Sequence, residues 1–174
     1  MKIETGRLLL FPLTLDQLAL SLHDSPRLAE QLGIQFAPDL FPAPVTQAIE
    51  IKIIRMIEAD HSLHPWFTYW MIELKEEGVG IGMLGFKGAP SPLGIVEIGY
   101  GISDNYRNMG YTTEAVRALI EWAFQHPECH AVVAETLKDN LPSIGVLEKI
   151  GMQLTGEHDG IFAWRVDRED FLVE

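Results

Sequence analysis

The chain has 174 residues, 47 % of them apolar and 22 % charged, which is the length and composition of one globular domain over residues 1–174. Thirteen Lys and Arg stand against 25 Asp and Glu, a formal net charge of −12. That balance disfavours nucleic acid and anionic membrane surfaces as partners, and the apolar share excludes a disordered chain.

Arg7 to Phe11 reads as a first strand, ended by Pro12. Thr14 can cap a helix that runs to about Leu22, with Asp16 in the first turn, where a carboxylate meets the positive helix end. Gly33 to Pro44 holds Pro38, Pro42 and Pro44 and is expected to be an irregular loop. A helix follows from Thr46 to about Ala59, with Ile49, Ile53, Met56 and Ile57 as its apolar stripe. Trp66 to Leu74 is apolar on both alternating faces, as an interior strand should be. Glu76-Glu77-Gly78 turns the chain into Val79–Phe86, the returning strand of a hairpin, and after a loop over Gly88–Gly94 comes a strand at Ile95–Ile102.

A helix from Thr113 to about Gln125 carries a stripe of Ala115, Val116, Leu119, Ile120, Ala123 and Phe124, and Pro127 stops it. Ala131–Leu137 is a strand. Pro142–Ile150 is a short helix closed by Gly151, and strands near Met152–Glu157 and Ile161–Val166 meet at an Asp159-Gly160 turn. The single cysteine, Cys129, forbids an intramolecular disulfide and suits a reducing compartment. With no leader pattern and no run near the ~18–20 apolar residues of a membrane span, a cytoplasmic protein is expected.

The stretch Tyr106-Arg107-Asn108-Met109-Gly110-Tyr111-Thr112-Thr113 lies between a strand and a helix. A glycine before a helix start lets a ligand approach the backbone, and the first-turn N–H groups have no partner within the helix. Together with the helix dipole and Arg107, they suit a phosphate; an ordinary strand-to-helix turn is the competing reading. Asn140 can cap the helix that contains Ser143. The histidine groups His61/His64 and His126/His130 with Cys129 lack a full ligand set, so no metal is expected.

The order of these segments is specific. Glu97-Ile-Gly-Tyr100-Gly-Ile102 leads into Tyr106-Arg107-x-x-Gly110-Tyr-x-Thr113-Glu114-Ala115; Asn140-x-x-Ser143 and Leu147-Glu148-Lys149-x-Gly151 follow, and the chain opens with Glu4-Thr5-Gly6-Arg7-Leu8-Leu9-Leu10. Over essentially its whole length it resembles the GNAT superfamily of N-acetyltransferases, in its RimJ/RimL-type branch. The resemblance implies an α/β (α+β) fold: a twisted, mostly antiparallel sheet of about six or seven strands flanked by helices. Two parallel central strands, Ile95–Ile102 and Ala131–Leu137, splay apart.

It also implies acetyl-CoA as cosubstrate. The pantetheine arm would run along Tyr100, Gly101 and Ile102. The pyrophosphate would sit on Arg107, Asn108, Met109, Gly110, Tyr111, Thr112 and Thr113, and Asn140 would bond the cofactor arm. Thr112 stands where the family's loop ends in Gly or Ala, and Leu147 where many members place an acidic tyrosine. Glu97 and Glu135 are the candidate bases, and Ser143 is placed to protonate the leaving sulfur. The acceptor, a small-molecule or peptide amine, would enter past the Gly33–Pro44 loop near Phe36 and Phe41. A homodimer is compatible with this reading. The alternative is a non-catalytic acyl-CoA sensor on the same fold.

Overall fold

The structure, a computed structural model, describes residues 1–171. The chain opens with β1 (Ile3–Glu4) and β2 (Leu8–Pro12). Helix α1 (Leu15–His23) begins at a capping box, in which Thr14 accepts from the Gln17 N–H and Gln17 reaches back to the Thr14 N–H. Helix α2 (Ser25–Leu32) is an element the sequence reading left out; Asp24 caps it, Pro26 sits in its first turn and Gly33 ends it at φ 70°. Within the expected irregular loop, Gln35–Phe36 forms a short strand, β3.

Helix α3 (Ala43–Glu58) starts three residues earlier than Thr46, since Pro44 in its first turn removes no helical hydrogen bond. Its buried side carries Ile49, Lys52 and Met56, while Ile57, expected in the apolar stripe, faces outward. A 3-10 turn at His61–Leu63 leads into α4 (His64–Phe67), so Trp66 and Phe67 are helical rather than part of the following strand. Pro65 pre-sets the helical turn, and the Trp70 indole N–H donates to its carbonyl at 2.8 Å.

Then come β4 (Trp70–Leu74), β5 (Val79–Phe86), β6 (Ile95–Ile102), α5 (Tyr111–Phe124), β7 (Ala131–Leu137), α6 (Leu141–Ile150), β8 (Gln153–His158), β9 (Ile161–Asp167) and α7 (Arg168–Phe171). The sheet order is β1-β2-β4-β5-β6-β7-β9-β8, with β3 beside β5. Among the described residues the nine strands exceed the expected six or seven because two of them, β1 and β3, are only two residues long.

All pairs are antiparallel except β3·β5 and the central β6·β7. Leu8, Leu10, Trp70, Ile72, Leu84 and Ile98 point to one face, where they pack with Val116, Leu119 and Ile120 of α5. Phe11, Met71 and Met83 point to the other, under Leu18 of α1 and Ile49 and Met56 of α3. Burial on both faces explains why β4 reads apolar throughout.

The strands β6 and β7 pair only at Ile95↔Ala131, Val96↔Val132 and Glu97↔Val133. Beyond that point β6 stays with β5 as far as Ile102, and β7 stays with β9 as far as Leu137. The split between them is the expected wedge. It opens toward the starts of α5 and α6.

Candidate active site

Two cavities meet at the end of β6. One, of about 460 Å³, lies in the wedge between Tyr100–Ile102, the first turn of α5 and the first turn of α6. The other, of about 440 Å³, lies on the opposite face, over Gly99 and Gly101 and beneath the 37–42 loop and the start of α3.

The wedge cavity brings together Tyr100, Gly101, Ile102, Arg107, Asn108, Gly110, Tyr111, Thr112, Thr113, Asn140 and Ser143. Met109 is in the same turn with its side chain exposed, outside the lining. Asn108 and Gly110 both adopt left-handed backbone, φ 61° and 81°, which folds the turn back onto the helix start. Among the described residues no side chain caps α5, and its first helical bond is Glu114 N–H to Gly110 O. The preceding amides therefore face the cavity side of the turn unpartnered within the helix.

Arg107 and Lys149 line this cavity and, among the described residues, no carboxylate does, in a chain of net charge −12. Lys149 belongs to the Leu147-Glu148-Lys149-x-Gly151 motif but is not among the residues expected to hold the cofactor; the motif does not show that the last turn of α6 reaches the wedge. Asn140 caps α6, its Oδ1 accepting from the Ser143 N–H at 3.3 Å. Across the wedge, the Tyr100 and Ser143 hydroxyls are hydrogen-bonded at 2.8 Å. Burial pushes the Tyr100 phenol pKa up, against the opposing pull of that bond.

The second cavity is apolar below, with Tyr69, Met83, Leu40 and Val45, and charged at its rim, with Asp39, Asp104 and Arg107. Asp39 is fixed by the Ser103 hydroxyl and by the Asp104 N–H at 2.8 Å. Those two bonds hold its carboxyl below the usual range. Phe36 and Phe41 pack edge to face, centroids 5.3 Å apart, in the apolar cluster under α1 and α3; Leu40 and Pro42 form the cavity wall instead.

Glu97 and Glu135 lie outside both linings. Alternation puts Glu97 on the face of β6 that carries Gly99 and Gly101, and the Glu97↔Val133 register puts Glu135 on that face too. Glu97 is ion-paired with Lys87 at the root of the wedge. Glu135 lies 3.6 Å from His158 Nε2 at the surface. Cys129 is buried away from both cavities, and burial pushes its thiol pKa up to about 11. His61 and His64 stack at 4.6 Å; among the described residues no group of three or more potential ligands could hold a metal ion, and no helix is long and apolar enough to cross a membrane.

Comparison with known proteins agrees with this geometry. Residues 7–153 match the family model of the acetyltransferase (GNAT) domain. A curated relative, the uncharacterized N-acetyltransferase YjdG of Bacillus subtilis, is 29 % identical over 152 residues, covering 87 % of this chain and 89 % of that one. Among solved structures, the ribosomal-protein-S5-alanine acetyltransferase of Vibrio fischeri superposes with a TM-score of 0.68 at 18 % identity, covering 98 % of each chain. The ribosomal L7/L12 alpha-N-protein acetyltransferase RimL, in complex with coenzyme A, gives 0.67 at 13 % identity, covering 96 % of this chain and 98 % of that one. The splayed strands, the helix start beyond them and the matched domain model together make the chain a member of the GNAT acetyltransferase family, an acyltransferase.

Proposed function

We propose that the protein, as one domain over residues 1–174, is a cytoplasmic acetyl-CoA-dependent N-acetyltransferase that passes the acetyl group directly to a primary amine of a small molecule or peptide. The observation that carries this reading is the meeting of two oppositely furnished cavities along Tyr100–Ile102. The wedge cavity, with Arg107 and Lys149 and, among the described residues, no carboxylate, suits a polyanion such as the CoA phosphates. The other carries Asp39 and Asp104 at its rim beside Arg107, which is ion-paired with Asp104 at 2.8 Å; the Asp39 carboxylate is the group that suits an amine.

In this reading the pantetheine arm lies along Tyr100, Gly101 and Ile102. The pyrophosphate rests on the turn from Arg107 through Thr113, and the Asn140 amide nitrogen donates to the arm while its oxygen caps α6. The amine attacks the thioester carbonyl from the opposite face. Its proton leaves through Glu97 or Glu135 by way of water, and Ser143 protonates the departing sulfur. Holding the two reactants on either side of one strand end supplies much of the rate.

Calorimetric titration with acetyl-CoA tests the first half of the reading. Release of CoA thiol in the presence of a panel of amines, including amino-terminal peptides, polyamines and amino sugars, tests the second. The Lys87 ion pair on Glu97 and the His158 contact of Glu135 favour one competing reading, a non-catalytic acyl-CoA sensor. Binding of acetyl-CoA without thiol release to any amine would establish it.

A further inference from the structure

Four residues line both cavities: Tyr100, Gly101, Ile102 and Arg107. Of these, Tyr100 alone carries a hydroxyl. Its ring leaves β6 on the same face as Ile98, and packs against the core beneath α5. The phenol oxygen reaches across the split to the first turn of α6, 2.8 Å from Ser143 Oγ and 3.3 Å from the Ser143 carbonyl oxygen. The hydroxyl thus ends on the far side of the wedge, at Ser143, the side chain that the proposed function sets against the CoA sulfur.

We propose that Tyr100 is a positioning residue for the acyl transfer: its hydroxyl donates to Ser143 Oγ, leaving the Ser143 proton free to point at the departing CoA sulfur. The inference rests on the reading of the wedge as the CoA site. When the tetrahedral intermediate collapses, the C–S bond breaks and its electron pair stays on sulfur. The Ser143 Oγ proton moves to sulfur as the Tyr100 proton moves to Ser143 Oγ. Solvent returns a proton to the phenolate through the open cavity. The acceptor nitrogen has by then lost its own proton, so thioester and amine have become amide and thiol.

An alkoxide on Ser143 alone is far too basic to form, which is why an isolated serine donates poorly. A phenol behind it lowers that cost, because a phenolate is a much weaker base than an alkoxide. Burial raises the phenol pKa, which keeps Tyr100 a neutral O–H donor through the neutral range and makes it a weaker acid, so the proton follows the C–S bond cleavage and does not precede it.

The test needs no acceptor. Reduced CoA is bound to the whole protein, and the pKa of its thiol is followed by thiolate ultraviolet absorbance. A donor aimed at the sulfur favours the thiolate, so the bound thiol should titrate below free CoA. Tyr100→Phe should raise that value by about one pH unit, about tenfold less thiolate at a fixed pH. Ser143→Ala should raise it at least as far, and the double variant no further than Ser143→Ala. Calorimetry at pH 6, where the thiol is protonated, gives the CoA affinity of each variant, so that every thiol titration is run on the loaded protein. Equal bound-thiol pKa values in wild type and Tyr100→Phe, with CoA bound by both, overturn the proposal and leave the cofactor reading standing. Failure of wild type to bind CoA removes both.

Discussion

Arg7, just before β2, and Glu114, in the first turn of α5, stand 107 positions apart and form a multiple clamp. The Arg7 guanidinium donates to Glu114 Oε2 at 2.7 Å, and the Arg7 backbone N–H donates to Oε1 at 2.9 Å. Thr5 donates to the same Oε1 at 2.6 Å, and Arg7 Nη1 reaches the Met109 carbonyl at 2.9 Å, inside the turn assigned to the pyrophosphate. The guanidinium also lies over the Tyr111 ring, 4.4 Å from its centroid.

This clamp fixes the turn before any ligand arrives. Burial would raise the Glu114 pKa; the hydrogen bonds from Thr5 and Arg7 and the guanidinium charge outweigh it and hold the carboxyl below its ordinary value. A depressed carboxylate contributes stability above the unfolded value near 4.3 and loses it as pH falls through the native one. Glu114→Gln should therefore flatten the acid side of the stability profile and weaken acetyl-CoA binding by about tenfold, since charge-assisted bonds are the strong ones. Urea unfolding from pH 3 to 7 and calorimetry at pH 7 check the two halves. Wild-type affinity in the variant would show that the turn holds itself.

Gly110 sits at φ 81°, and a Cβ there would come 3.3 Å from Arg7 Nη2. Gly110→Val thus costs stability as well as cofactor binding, about 1–3 kcal/mol for the backbone alone. The matched control is Gly33→Ala, at φ 70° beyond α2 and far from the wedge. Both variants should melt earlier. Only Gly110→Val should lose acetyl-CoA affinity, by tenfold or more at the order-of-magnitude level. Equal affinities measured by calorimetry would dissociate the turn from the phosphates.

Gly99 lines only the second cavity, and a Cβ built on it meets nothing within 4 Å. Gly99→Val suits a strand backbone and should fold with unchanged or higher melting temperature. Its side chain enters the space assigned to the acceptor. Acceptor KM should rise about tenfold or more while acetyl-CoA affinity holds, because the three added carbons overfill the space and overpacking costs about 1–3 kcal/mol. An unchanged acceptor KM would place the amine elsewhere.

Lys52 is buried on α3, its ammonium donating to the carbonyls of Phe86 at 2.7 Å and Phe67 at 3.1 Å, over the Tyr69 ring at 4.5 Å. Burial, with the charges of Arg55 and Lys87, lowers its pKa to about 7. The unfolded lysine titrates near 10.4, so between about pH 7 and 10 the unfolded chain holds more protons and stability rises with pH. Below that window the cost is constant. The stability of wild type minus that of Lys52→Met should climb over pH 7–10 by something on the order of a few kcal/mol. A flat difference in urea unfolding would mean that the carbonyl acceptors hold the ammonium as firmly as water does.

The fold was largely readable. Strand β7 falls on the expected Ala131–Leu137, and α5 and α6 begin within two residues of their expected starts, since periodicity and caps act locally. Helix α2 is legible from Asp24, Pro26 and Gly33, but its eight residues offer only Leu28 and Leu32 as large apolar side chains, too few for periodicity to stand out. Trp66 and Phe67 misled because aromatic richness serves a buried helical turn as well as a strand. What one sequence does not encode is pairing across distance. Arg7 with Glu114, Tyr100 with Ser143 and Lys87 with Glu97 join segments brought together only by the sheet.

That last pair bears on the base. Glu97 lies at the root of the wedge, on the face of β6 that carries Gly99 and Gly101, and is ion-paired with Lys87. Glu97→Gln keeps the shape and one acceptor oxygen but cannot accept a proton. If Glu97 takes the acceptor's proton through water, kcat at neutral pH should fall by about 10²-fold, the lower end for a general base, with acetyl-CoA affinity intact. Glu135→Gln, whose partner is the exposed His158, serves as the matched change across the split. Lys87→Met separates charge from proton transfer: it frees the Glu97 carboxylate, so its kcat should equal or exceed that of wild type, whereas a structural role for the ion pair would lower both kcat and melting temperature. Loss of activity in Glu135→Gln alone moves the base to β7. Full activity in both glutamine variants across pH 6–9 assigns deprotonation to solvent, and leaves the rate to the alignment of amine and thioester on either side of Tyr100–Ile102.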